Sequence, residues 1–331
     1  MAAKLRSAGK GLVTPRSACK KPDAIKPEQI SENFSIAKLL AILMVATGHY
    51  FGSILWVPVT IGLFVFAFSS GYFSAKRYCG KIDWRSFWAN KIKRLAPPLL
   101  VVNLFLLLLF LIEGKSGLLT FHTALAWLGL SGFLDWLGIH NQSPFGNGLW
   151  FFTVLLIFYA IFPLLHAVTS NGRRALAFII VSAAICMLGR FYASPPYMLW
   201  LTIFGFCFGM FAARIAWKPR YVFSWLILLV CGVFLLGANL LGFKQLNLLL
   251  LAALSISTVA VLLSTPFRLT QVGSLQVLLP CVLEIYLLHT YLFVEVPGLP
   301  RIFGYVISMT MVLVLAYGLY RIRLQLMRRL S

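Results

Sequence analysis

Apolar residues run along this chain in blocks of about 20, separated by short polar or basic stretches. At 1.5 Å of rise per residue, a helical block of that length crosses a hydrocarbon core of about 30 Å. Ten such blocks are predicted as spans: 34–55, 57–75, 95–112, 149–168, 175–192, 197–216, 221–241, 246–265, 277–294 and 302–320. Between the third and fourth lies LLTFHTALAWLGLSGFLDWLGI, apolar but interrupted by His122 and Asp135, with His140 following. The whole 113–148 stretch is read as an outer loop carrying an amphipathic or re-entrant helix. The fold class that follows is all-α: a multi-pass integral membrane helical bundle of about ten transmembrane helices. Residues 1–33 are predicted to be a disordered basic cytoplasmic tail, 34–320 the membrane domain, and 321–331 a basic cytoplasmic C-terminal tail.

Charge orients this bundle. The 331 residues are 60% hydrophobic and 11% charged, less than half the charged share of about 25% in soluble domains. The 29 Lys and Arg outnumber the eight Asp and Glu, for a net charge of +21. With the first span starting inside, the inner segments hold 24 of the Lys and Arg and the outer segments four; Lys38 lies within the first span. That asymmetry places both termini in the cytoplasm, and one span more or fewer would put the C-terminal basic cluster outside. The charge therefore marks membrane orientation rather than nucleic-acid binding. The basic N-terminal stretch is too long and irregular for the leading part of a cleaved signal, so the first span is expected to stay attached. Six cysteines in no CxxC or Cys/His spacing give no sign of a disulfide framework or a metal site.

An ionisable side chain in hydrocarbon costs a few kcal/mol and calls for a reason. The chain has few: Lys38, His49, Glu284 and His289, with His166 near an inner end. Lys38 and His49 lie eleven residues apart in KLLAILMVATGH, which puts both on one helical face, about 16 Å apart along the axis. Spacing alone leaves two readings open. Lys38 either snorkels to the inner headgroups while His49 makes a helix contact, or the two line a functional site. Glu284 and His289 point about 140° apart on their helix and do not form a dyad. Glu284 is expected to be protonated or paired with a cation such as Lys38.

The pair Lys38 and His49 resembles the basic-x10-His signature of acyltransferase family 3, membrane-bound enzymes that acylate surface glycans. Four further segments are similar to that family in order along the chain. They are IGLFVFAFSSGYF (61–73), FWANKIKRLAPPLL (87–100), GLWFFTVLLIFYAIFPLL (148–165) and LEIYLLHTYLF (283–293), the last placing His289 on the family's late histidine. Leu155 and Leu156 stand where many members carry a glutamate pair, and Glu284 where a serine is usual. The resemblance implies an O-acyltransferase, most often an O-acetyltransferase, in the inner or plasma membrane of a bacterial cell. It implies acyl-CoA as donor substrate, no bound cofactor, and a surface polysaccharide or lipid-linked glycan as acceptor.

Such a reaction needs a base for the hydroxyl proton, a site for the donor phosphates and stabilisation of an oxyanion. His49 is the candidate base, since histidine titrates nearest neutrality. Lys38 and His289 complete the candidate catalytic set, and His289 is read as orienting His49 or lining the acceptor path. Lys91, Lys93 and Arg94 are the candidate donor-phosphate site, a role that shares the cluster with its membrane-orienting one. The competing function is a transporter or flippase of a glycan intermediate or small metabolite. The internal repeats or paired broken helices expected of that class are not evident.

Overall fold

The computed structural model describes residues 27–52, 55–78, 80, 82–192, 197–265 and 269–330. Every regular element among them is helical, and the chain folds as a multi-pass membrane helical bundle. The helices are α1 (Pro27–Phe51), α2 (Trp56–Arg77), α3 (Trp84–Ile112), α4 (Phe121–Trp127), α5 (Gly132–Trp136) and α6 (Trp150–Val168). There follow α7 (Gly172–Tyr192), α8 (Tyr197–Arg214), α9 (Tyr221–Leu240), α10 (Asn247–Ser264), α11 (Val282–Leu288) and α12 (Arg301–Leu330). Eight of these are long and apolar enough to cross a membrane. The other two predicted spans correspond to shorter apolar helices, Met198–Arg214 and Leu275–Tyr291.

Contacts between helix ends follow the alternation that ten crossings require. At the N-terminal end of α1, Asn33 donates from Nδ2 to the carbonyls of Leu262 (2.8 Å) and Thr265 (2.7 Å), where α10 stops. Those carbonyls lack partners within their own helix, so the side chain satisfies them. At the opposite end of α1, Arg301 at the start of α12 donates to the Tyr50 carbonyl (2.5 Å) and stacks over the Tyr50 and Phe51 rings. Thr47 and Tyr305 share a hydrogen bond of 2.7 Å beside it. A cation here suits the negative end of the α1 dipole.

Three boundaries differ from the sequence reading. α1 begins at Pro27, so residues 27–33 belong to a helix rather than to a disordered tail; residues 1–26 lie outside the described residues. α3 begins at Trp84, where Asp83 accepts hydrogen bonds from the amides of Arg85 and Ser86, so Lys91 to Arg94 ride on a helix and not in a connecting loop. α12 runs without a break to Leu330, which makes Arg321 and Arg323 helix residues rather than part of a tail. The ninth predicted span is also not one helix. A 3-10 stretch at Leu269–Cys281 contains Gly273 at φ 55° and Pro280, and α11 then ends in a 3-10 turn at His289–Tyr291. Such irregular backbone is tolerated at membrane depth where it is packed in protein or faces a cavity.

The segment between α3 and α6 contains two short helices with an apolar outer surface: Leu119, Phe121, Leu128 and Leu137 are exposed. Its last turn is pinned to the α11 region. Asn147 N–H donates to the Tyr291 hydroxyl (3.0 Å), Thr290 to the Asn147 carbonyl (3.0 Å) and Tyr286 to the Gly148 carbonyl (2.8 Å).

The closest helix packing is between α2 and α8. A Cβ on Gly71 would strike the Phe206 carbonyl, and one on Gly209 would strike the Phe68 carbonyl. These reciprocal glycines let two backbones touch, the usual device where lipid offers no hydrophobic drive for association. Gly209→Val is therefore expected to destabilise the fold by about 1–3 kcal/mol or more through overpacking. Thermal unfolding in detergent measures this. Gly318→Val, at a helical site open to space, is the matched control and should not lower the midpoint.

Candidate active site

One face of α1 lines three adjoining cavities. Nearest the basic end, a cavity of about 140 Å³ is walled by Lys38, Arg77, Lys91 and Arg94 together with Ser69, Ser70, Asn90 and Tyr159. The next, of about 270 Å³, shares Lys38, Arg94, Ser69, Ser70 and Tyr159 with the first and adds Glu284, Arg323 and an apolar wall. The third, of about 220 Å³, holds His49 between the ends of α1, α2, α6 and α8, with Trp56, Trp150 and Met198 at its sides. Lys38, Ile42, Val45 and His49 recur at helical spacing, so α1 runs past all three.

His49 lies in the last turn of α1, exposed to its cavity. Its ring centroid is 5.2 Å from that of His289, which is fully buried. His289 Nδ1 lies 2.6 Å from the Tyr286 carbonyl, so this nitrogen carries the proton and donates. Nε2 is then the lone-pair nitrogen, and it has no hydrogen-bond partner among the described residues. The structure thus brings together the two histidines singled out from the sequence, from positions 240 residues apart. His289 does not line the His49 cavity; its place is behind His49, which suits an orienting role rather than an acceptor path.

The cations of the candidate donor site divide. Lys91 is tethered: its ammonium donates to Ser74 Oγ (3.0 Å) and sits 3.8 Å over the centre of the Tyr159 ring. Arg94 lines both basic cavities. Lys93 is exposed and lines neither, because one residue turns a helix by 100°. Arg77 and Arg323, absent from the sequence-based set, do line these cavities. Both looked like membrane-orienting charges flanking a span. Only the helical continuation of α12 shows that Arg323 turns inward.

Glu284 does not pair with Lys38. Its Oε1 meets Arg323 Nε at 2.8 Å, and the carboxylate is 1% exposed. Lys38 lines the same cavity but leaves the carboxylate to the guanidinium, the better match for a buried carboxylate. Glu284 and His289 face different neighbours, as their helical phase predicts. His166 plays no part in the cavities. Its Nε2 donates to the Tyr78 carbonyl (2.6 Å) and its Nδ1 accepts from Arg214 (2.6 Å), clamping the basic ends of α2, α6 and α8.

Chemically, the arrangement offers a histidine with a lone-pair neighbour at one end and a basic pocket at the other. A mostly apolar passage separates them. A family model described as an acyltransferase domain, acyltransferase 3, matches residues 32–321, nearly the whole chain. No curated protein and no solved structure gives a significant match.

Proposed function

From the chain's membership of acyltransferase family 3, we propose that it is an O-acyltransferase that draws an acyl group, acetyl above all, from cytoplasmic acyl-CoA. The acceptor in this reading is a hydroxyl of a lipid-linked glycan or surface polysaccharide. The observation that carries the reading is the single face of α1 that runs from Lys38 among the cations to His49 among the aromatics. The donor phosphates rest on Lys38, Lys91 and Arg94, with Arg77 and Arg323 beside them. The uncharged pantetheine arm lies in the middle cavity and carries the thioester toward His49.

His49 then removes the proton of the acceptor hydroxyl as its oxygen attacks the thioester carbonyl. The C–O bond forms and the C–S bond breaks. The sulfur leaves as thiolate and recovers that proton from His49, so the products are the ester and free CoA. His289, its Nδ1 proton committed to the Tyr286 carbonyl, packs beside His49 with ring centroids 5.2 Å apart and holds the orientation of the base. Trp56 and Trp150 give the acceptor sugar flat apolar surfaces beside His49. The broken span around α11 is the one feature that would suit a transporter, yet among the described residues no second helix carries a matching break.

Release of free thiol from acetyl-CoA by purified protein, with and without glycan acceptor, tests the reading. Lys38→Met should raise the apparent KM for acetyl-CoA at least about tenfold, the weight of one lost charge-assisted contact of about 1.5–3 kcal/mol. Lys38→Arg should keep most activity. Absence of acceptor-dependent thiol release from any acyl-CoA would sink the assignment and favour transport.

A further inference from the structure

The basic middle cavity and the His49 cavity share four lining residues: Val45 of α1, Leu63 of α2, Phe151 of α6 and Tyr286 of α11. Each comes from a different helix, and each is almost fully buried. On α1, Val45 is one turn, about 6 Å, before His49 and two turns, about 10 Å, beyond Lys38. The ring of four therefore stands between the cations and the histidine. Its members are held rigidly. Tyr286 is fixed by its bond to the Gly148 carbonyl (2.8 Å) and packs edge-on against Phe151, with ring centroids 6.1 Å apart. Phe151 in turn packs on Phe66 at 5.6 Å.

We propose that Val45, Leu63, Phe151 and Tyr286 form a waist that selects the acyl group by size, admitting short chains and refusing long ones. This rests on the acyl-CoA reading. The phosphates stay with the cations, so the acyl group is the leading end of the donor. It must pass the waist before the thioester carbon reaches His49. Beyond the waist it shares about 220 Å³ with the acceptor hydroxyl and the walls. Four buried side chains from four packed helices yield little, because a packed interior resists extra volume. A longer chain meets a steric barrier at the ring, and specificity comes from that clash rather than from affinity for acetyl.

The test compares kcat/KM for acetyl-, butyryl- and hexanoyl-CoA across variants of the waist, read as free thiol released with acceptor present. Leu63→Ala and Phe151→Leu widen it, and should raise the hexanoyl-to-acetyl ratio at least about tenfold, the usual weight of one or two methylenes in a shaped pocket. Val45→Phe narrows it and should push the ratio for butyryl the other way. A variant that folds poorly lowers every donor together and leaves the ratios where they were. Opposite movement of the ratios in wider and narrower variants is therefore the expected signature. Unchanged ratios in all three variants, with acetyl turnover present, would overturn the waist and leave the acyltransferase reading standing. Wild-type protein that consumes no acyl-CoA would overturn both.

Discussion

His49→Ala is expected to lower acyl transfer by roughly 10²–10⁴-fold, the range that a positioned general base supplies, while the protein reaches the membrane in normal amounts. The side chain is exposed to its cavity and makes no hydrogen bond among the described residues, so its loss leaves little unsatisfied. His49→Gln keeps polarity and much of the shape but cannot take a proton, and should be as inactive. His289→Ala is a different kind of change. It empties a fully buried site and removes the group behind the base, so stability and activity should fall together. Measured transfer near the wild-type level in folded His49→Ala would remove this residue from the chemistry, and the cavity around it would need another role.

The second large effect concerns the buried ion pair. Arg323→Met should destabilise the protein by about 3–5 kcal/mol, because it leaves Glu284 charged or forces it to bind a proton in a site that is 1% exposed. Its lower unfolding midpoint in detergent, and a smaller amount in the membrane, are the expected readings. Glu284→Gln combined with Arg323→Met removes both charges and should recover much of the lost stability. The double variant should still bind donor poorly, since one of the cations around the middle cavity is gone. Stability and donor KM thus separate: the first follows the pair, the second follows Arg323. A single Arg323→Met variant that melts like wild type would show that the pair contributes nothing measurable.

These two sites also mark where the sequence was legible and where it was not. Each of the ten apolar blocks coincides with helical structure, because block length and polarity are local properties. The co-facial pair Lys38 and His49 was legible for the same reason, since helical phase needs one helix only. The meeting of His49 with His289 was foreshadowed by family resemblance and not by any pattern in the residues. What escaped the reading depends on contacts between helices. Glu284 advertised a need for a cation, but its partner was set by how far α12 stays helical. A basic run after an apolar block looks alike whether it frays or continues. Lys93 looked equivalent to Lys91 and Arg94 until the turn of α3 separated them. The broken ninth span reads as one apolar block interrupted by Glu284 and His289, and 3-10 geometry leaves no separate trace in hydropathy.

The arrangement around the outer end of α1 has a consequence for how the protein is made. His49 belongs to α1, which is made long before α11 and α12. The groups that hold that helix end, Tyr305 on Thr47 and Arg301 on the Tyr50 carbonyl, come 258 and 251 residues later. At translation rates of 5–20 residues per second, the order of tens of seconds separates the synthesis of the two sides of the site. During that interval α1 must wait in the bilayer with its histidine unsupported. A chain that stops before α12 would lack the Tyr305 and Arg301 contacts that hold this end of α1, however much of the bundle it contains.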